Sequence, residues 1–95
     1  MAVSVTFKCS CPQSVVSVTI QATDDPSDTE GMLFKTSGSK TVELSKGEHD
    51  VSYRAVGTPG SDLGLEVTKG GTMRAVDRTL GDDGRAAGLR TVAVG

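Results

Sequence analysis

Ninety-five residues with a formal charge of −2, two Phe, one Tyr and no Trp make one domain, 1–95, able to bury only about 60–65 per cent of its unfolded surface around one thin core. That charge leaves no basic footprint for nucleic acid or anionic lipid, and no run of about 18 apolar residues is present to cross a bilayer as a helix. Nucleic-acid binding and membrane insertion are thereby disfavoured, and a soluble domain is expected.

Val3, Val5, Phe7 and Cys9 alternate with Ser4, Thr6 and Lys8, the period of two in which successive side chains take opposite faces of a sheet. A strand is predicted over 3–9, closed by Pro12, which cannot donate to a ladder. Residues 15–22 repeat the pattern, with Val16, Val18, Ile20 and Ala22 against Ser17, Thr19 and Gln21, and read as a central strand. Residues 23–31 hold no apolar side chain and many turn formers, so a solvated loop is expected there.

Residues 32–37 are apolar enough for a third strand, whose register depends on the turn that follows. A two-residue turn at Gly38-Ser39 sets Leu33 opposite Leu44, whereas one more loop residue brings Phe34 onto the face of Val42 and Leu44. Burial of the larger ring favours Phe34 inside. Residues 40–56 then read as strand, turn at Gly47 and strand, with Val42 and Leu44 continued by Val51, Tyr53 and Ala55.

Beyond the turn-rich stretch 57–61, Leu63, Leu65 and Val67 mark a sixth strand. Gly70-Gly71 can supply two positive φ values for a tight hairpin that pairs Leu65 with Val76 and Val67 with Arg74. Residues 73–79 carry charge on both faces, as an exposed edge strand does. After a turn at 81–84, residues 89–94 form a last strand in which Arg90 shares a face with Val92 and Val94. No stretch has helical period. Seven or eight short strands with Gly, Pro and Asp between them predict an all-β, antiparallel two-sheet sandwich with immunoglobulin-like or related Greek-key topology.

Within that frame, Leu44-Ser45-Lys46-Gly47-Glu48-His49 and the strand after it resemble the Leu-x-x-Gly-x-Tyr corner of immunoglobulin-like and fibronectin-type modules, with His49 in the place of the tyrosine. The resemblance covers about a fifth of the chain. It implies a fold class and a ring that hydrogen-bonds to backbone, and it carries no active site.

Three groups of residues can carry chemistry. Asp24, Asp25, Asp28 and Glu30 offer oxygen ligands to Ca²⁺, which takes six to eight of them, although Asp in turns also satisfies nearby backbone. Cys9 and Cys11, with His49 as the one histidine, offer soft ligands to zinc or copper, or a redox thiol pair; against this stands Cys9 as a small core residue. All five arginines, Arg54, Arg74, Arg78, Arg85 and Arg90, lie in the second half, where they either grip carboxylates and phosphates or serve as solvated edge charges.

Nothing in the spacing sets a base beside a nucleophile, so catalysis is not expected. The expected function is a non-catalytic binding, adhesion or structural module. It would meet a protein or polar ligand through loops 23–31, 57–61 and 81–86 or a free strand edge. The alternatives are a Ca²⁺ module built on the acidic loop and a thiol-based redox or soft-metal protein. Residues 1–5 lack the basic start and apolar core of a secretory leader, a pattern that also suits a domain excised from a cell-surface or secreted protein.

Overall fold

Each alternating stretch becomes a strand in the computed structural model, which describes residues 2–25 and 27–95; Met1, and Pro26 of the predicted acidic loop, lie outside the described residues. The strands are β1 Ala2–Ser10, β2 Ser14–Ala22, β3 Thr29–Phe34, β4 Gly38–Ser45, β5 Gly47–Gly57, β6 Asp62–Lys69, β7 Thr72–Met73, β8 Val76–Thr79 and β9 Arg85–Val94, with no helix among the described residues. They form two antiparallel sheets, ordered β4-β1-β6-β8 and β3-β2-β5-β9-β7. The sheets close face to face as a sandwich.

The inward sets are those the alternation names. Val5, Phe7 and Cys9 of β1 oppose Val16, Val18 and Ile20 of β2 and Val51, Tyr53 and Ala55 of β5, all essentially solvent-free. Phe34 is buried and Leu33 is 46% exposed, so Phe34 faces inward as expected, although β3 takes its register from β2 and not from a hairpin with β4.

Where the structure departs from the expected hairpins, the difference is which sheet a strand joins. β4 pairs with β1 and β5 pairs with β2 and β9, so the turn at Gly47 is a corner between sheets and not a hairpin. Side by side in one layer, the apolar faces of β4 and β5 would still need a second layer to cover them; crossing at Gly47 makes them oppose each other. The link from β3 to β4 crosses in the same way, since β3 pairs with β2 alone.

β3 also begins at Thr29, inside the stretch expected to be loop. Thr29, Glu30 and Gly31 pair with Gln21, Ile20 and Thr19, and an edge strand lying along β2 takes its backbone hydrogen bonds without needing apolar side chains at its open end.

The predicted strand over 73–79 is two strands. Leu65 pairs with Val76 as expected, but the Val67–Arg74 pair does not form, because β7 joins β9 in the other sheet. The turn has one left-handed residue where a two-residue hairpin of this kind wants two: Gly70 has φ 87 and Gly71 is not among the positive-φ glycines. Gly70 lies so close on β1 that a Cβ there would run into the Ser4 carbonyl. The last strand is longer than read, starting at Arg85.

His49 holds the corner. Its ring, 1% exposed, donates from Nε2 to the Ser45 carbonyl at 2.7 Å. His49→Ala deletes a packed ring and leaves that carbonyl without its donor, and is expected to lower the unfolding free energy by about 2 kcal/mol. A urea titration checks it: the midpoint falls and the slope stays the same if the folded and unfolded states keep their compactness.

Candidate functional site

The acidic loop is stitched to itself and to the corner beside it. Asp25 Oδ1 accepts from the Ser27 amide at 3.2 Å and the Ser27 hydroxyl at 2.7 Å. Asp28 Oδ2 accepts from the Ser45 hydroxyl at 3.0 Å, and its main-chain carbonyl accepts from Ala22 N–H at 3.0 Å. Asp24 is exposed beside them, while Glu30 stands on β3 opposite Ile20. Among the described residues no three His, Cys, Asp or Glu side chains gather to hold a metal ion. The carboxylates of Asp25 and Asp28 do what Asp commonly does in turns, satisfying nearby donors.

Cys9 and Cys11 are free and buried. Cys9 pairs with Gly38 on β4, whereas Ser45, which takes the His49 hydrogen bond, pairs with Ala2 at the other end of β1. That places the thiols and the imidazole about 24 Å apart along the strand, so the Cys9–Cys11–His49 ligand set is not assembled. Burial pushes the Cys9 thiol up to about 12, helped by a hydrogen bond and charge interaction with Cys11. At neutral pH Cys9 is a protonated thiol, in the form that neither attacks nor ligates. The Cys11 amide donates to Ser37 Oγ at 2.8 Å, tying the β3–β4 link over this end.

The arginines are brought together in part. Arg54 of β5 and Arg85 of β9 sit on the outer face of one sheet, and Arg78 reaches them from β8 of the other. With Val56, Asp83 and Ala87 they line a hollow of about 600 Å³. Its floor comes from the ladder register: Arg54 pairs with Ala87, and the short alanine leaves a dip between longer neighbours. Arg78 Nη1 bridges the two sheets, donating to the Ala87 carbonyl at 2.5 Å and lying 3.4 Å from the Tyr53 hydroxyl.

Among the described residues Asp83 is the one carboxylate lining the hollow, and its Oδ1 accepts from the Arg85 amide at 3.1 Å. Among the described residues, neither Arg54 nor Arg85 has a side-chain hydrogen bond or ion pair. Val56, 56% exposed, pairs with exposed Val15, so an apolar row borders the hollow on β2 and β5. A second hollow, of about 510 Å³ over β1, β6 and β8, mixes Lys8 with Asp62, Glu66 and Asp77 and has no single sign of charge. Arg74 stands apart on the β7–β8 link, and Arg90 points toward the seam between the sheets.

Reading the arginines as scattered edge charges misses this grouping. The signal available in the sequence is the run Arg85-Ala86-Ala87-Gly88, in which small residues beside a long cation leave room for something else. Comparison with protein-family models, curated proteins and solved structures gives no match.

Proposed function

We propose that the chain is a non-catalytic binding module, on an immunoglobulin-like framework, whose Arg54–Arg78–Arg85 hollow takes a carboxylate-bearing segment of a protein partner. The observation that carries the reading is the convergence of three guanidiniums on one hollow, with Arg54 and Arg85 unpartnered among the described residues. Guanidinium is a planar fork of donors matched to a carboxylate, more weakly hydrated than ammonium, and so well suited to pairing at a partly apolar surface. The Val15–Val56 row gives such a segment apolar area beside the charges. The framework reading is supported by the corner at Gly47, where His49 bonds to the carbonyl of Ser45 four residues before it. The non-catalytic reading is supported by a protonated Cys9 thiol far along the sandwich from the one imidazole.

Titration of the labelled chain with glutarate at low salt tests the site. Amide signals of Arg54, Arg85 and Ala87 are expected to move with a dissociation constant in the millimolar range, weakening as salt is added. Arg54→Gln and Arg85→Gln are each expected to weaken binding several-fold with melting temperature unchanged, since both side chains are exposed. Unmoved signals at all three residues would refute the reading.

A further inference from the structure

Next to the arginine hollow, the side of β9 away from β5 has, among the described residues, no strand beside it from Arg85 to Thr91. β7 pairs with β9 only at Thr72–Ala93 and Met73–Val92 before the chain crosses to the other sheet to form β8. The ladder fixes which backbone groups are left open. Gly57 N–H donates to the Gly84 carbonyl at 2.8 Å, so along the ladder Ala86, Gly88 and Arg90 bond toward β5, while Ala87 and Leu89 turn their N–H and C=O groups away from it.

Side chains occupy the acceptors of that open edge. Arg78 Nη1 donates to the Ala87 carbonyl, and Arg90 Nη1 donates to the Leu89 carbonyl at 3.0 Å. Two guanidiniums thus stand where the N–H groups of a neighbouring strand would stand. They have donors only, so they cannot serve the amides of Ala87 and Leu89. Arg90 Nε is itself buried without a partner.

We infer that β9 between Ala86 and Thr91 receives an extended acidic peptide as an added strand, with carboxylates taking over Arg78 and Arg90. This rests on the proposed carboxylate-binding reading and specifies its ligand. Strand addition supplies main-chain hydrogen bonds for affinity and alternate side-chain positions for specificity. In the pleat of an added strand, side chains flanking Gly88 and Arg90 point into the seam between the sheets, and those flanking Ala87 and Leu89 lie on the outer face. The ligand pattern is therefore acid, apolar, acid: two carboxylates two residues apart facing Arg78 and Arg90, with an apolar side chain beside Leu89, which is 59% exposed. A carboxylate in the seam also gives the buried Arg90 Nε an acceptor, and releasing Arg78 from the Ala87 carbonyl frees that carbonyl for the peptide amide.

The rival account is that Arg78 and Arg90 guard the edge against pairing, as inward charges on edge strands do. A capped peptide of alternating glutamate and valine, added to the full chain, separates the two by amide hydrogen exchange. The expected result is exchange slowed about tenfold or more at Ala87 and Leu89, with little change at Ala86 and Gly88, whose amides already bond to β5. N-methylation of the peptide at the amides facing β9 is expected to abolish this protection and N-methylation at the alternate amides to spare it; glutamine in place of glutamate is also expected to abolish it. Shifts at Arg54 and Arg85 without protection of Ala87 and Leu89 would overturn strand addition and leave the carboxylate site standing. No shift and no protection would overturn both and identify the arginines as edge guards.

Discussion

Phe34→Ala is expected to lower the unfolding free energy by about 3–5 kcal/mol, and Leu33→Ala, one residue away, by less than about 1 kcal/mol. The two side chains leave the same strand in opposite directions. Phe34 is 2% exposed and part of the core, with Lys40 Nζ 5.9 Å from its ring centroid; Leu33 lies opposite Ser17 on the outer face and keeps 46% of its surface in water. Truncating the ring removes its transfer free energy and leaves a cavity that neighbours fill only partly, whereas Leu33 has little burial to lose. A domain of this size is stable by about 5–15 kcal/mol, so the first substitution takes away a large share and the second is close to silent. Urea titrations of both variants measure the difference. Equal losses would mean that β3 sits one residue out of the register described.

That pair of residues also shows how far periodicity reaches. Alternation states which face a side chain takes, and it did so correctly for Val5, Phe7, Val16, Ile20, Tyr53 and Val92, all buried, while for Phe34 the size of the ring decided between two registers. It does not state which strand lies alongside. β4 and β5 both alternate whether they form a hairpin or turn a corner, and the corner is adopted because it puts their apolar faces on opposite sides of one core. Thr29–Gly31 shows the converse: a strand segment on an open edge needs backbone pairing and no apolar pattern, so composition reads it as loop. The split of 73–79 has the same origin, since nothing in Met73-Arg74-Ala75-Val76 says that β7 and β8 belong to different sheets.

The arginine hollow follows from these same pairings. Arg54 and Arg85 share the outer face because β5 and β9 are neighbours, and Arg78 joins them because β8 edges the facing sheet. The five arginines are visible in the chain, but the fold decides that three ring one hollow and that Arg90 turns inward behind them. The free side of β9 is equally a product of topology: it exists because β7 is two residues long.

The second large effect concerns pH. Between about pH 9 and 12 the fold is expected to lose stability steadily through the Cys9 thiol, by on the order of a few kcal/mol in all. The sign follows from proton counting. Burial raises the Cys9 thiol from 9.0 to about 12 in the folded state, so over that window the unfolded chain has released its proton and the folded chain still holds it. With fewer protons bound unfolded than folded, stability falls as pH rises; below pH 9 the contribution is fully present, and above 12 the loss is complete. Denaturant titrations at stepped alkaline pH measure the slope, and Cys9→Ala is expected to remove this component while leaving whatever other groups contribute. Cys11→Ala separates the causes. Burial is the largest of them and the Cys11 hydrogen bond and charge come after it, so this variant is expected to narrow the window from its upper end without abolishing it. An alkaline slope identical in the parent chain and in Cys9→Ala would show that the thiol is solvated in the folded state, and would remove Cys9 from the core along with the inward face assigned to that end of β1.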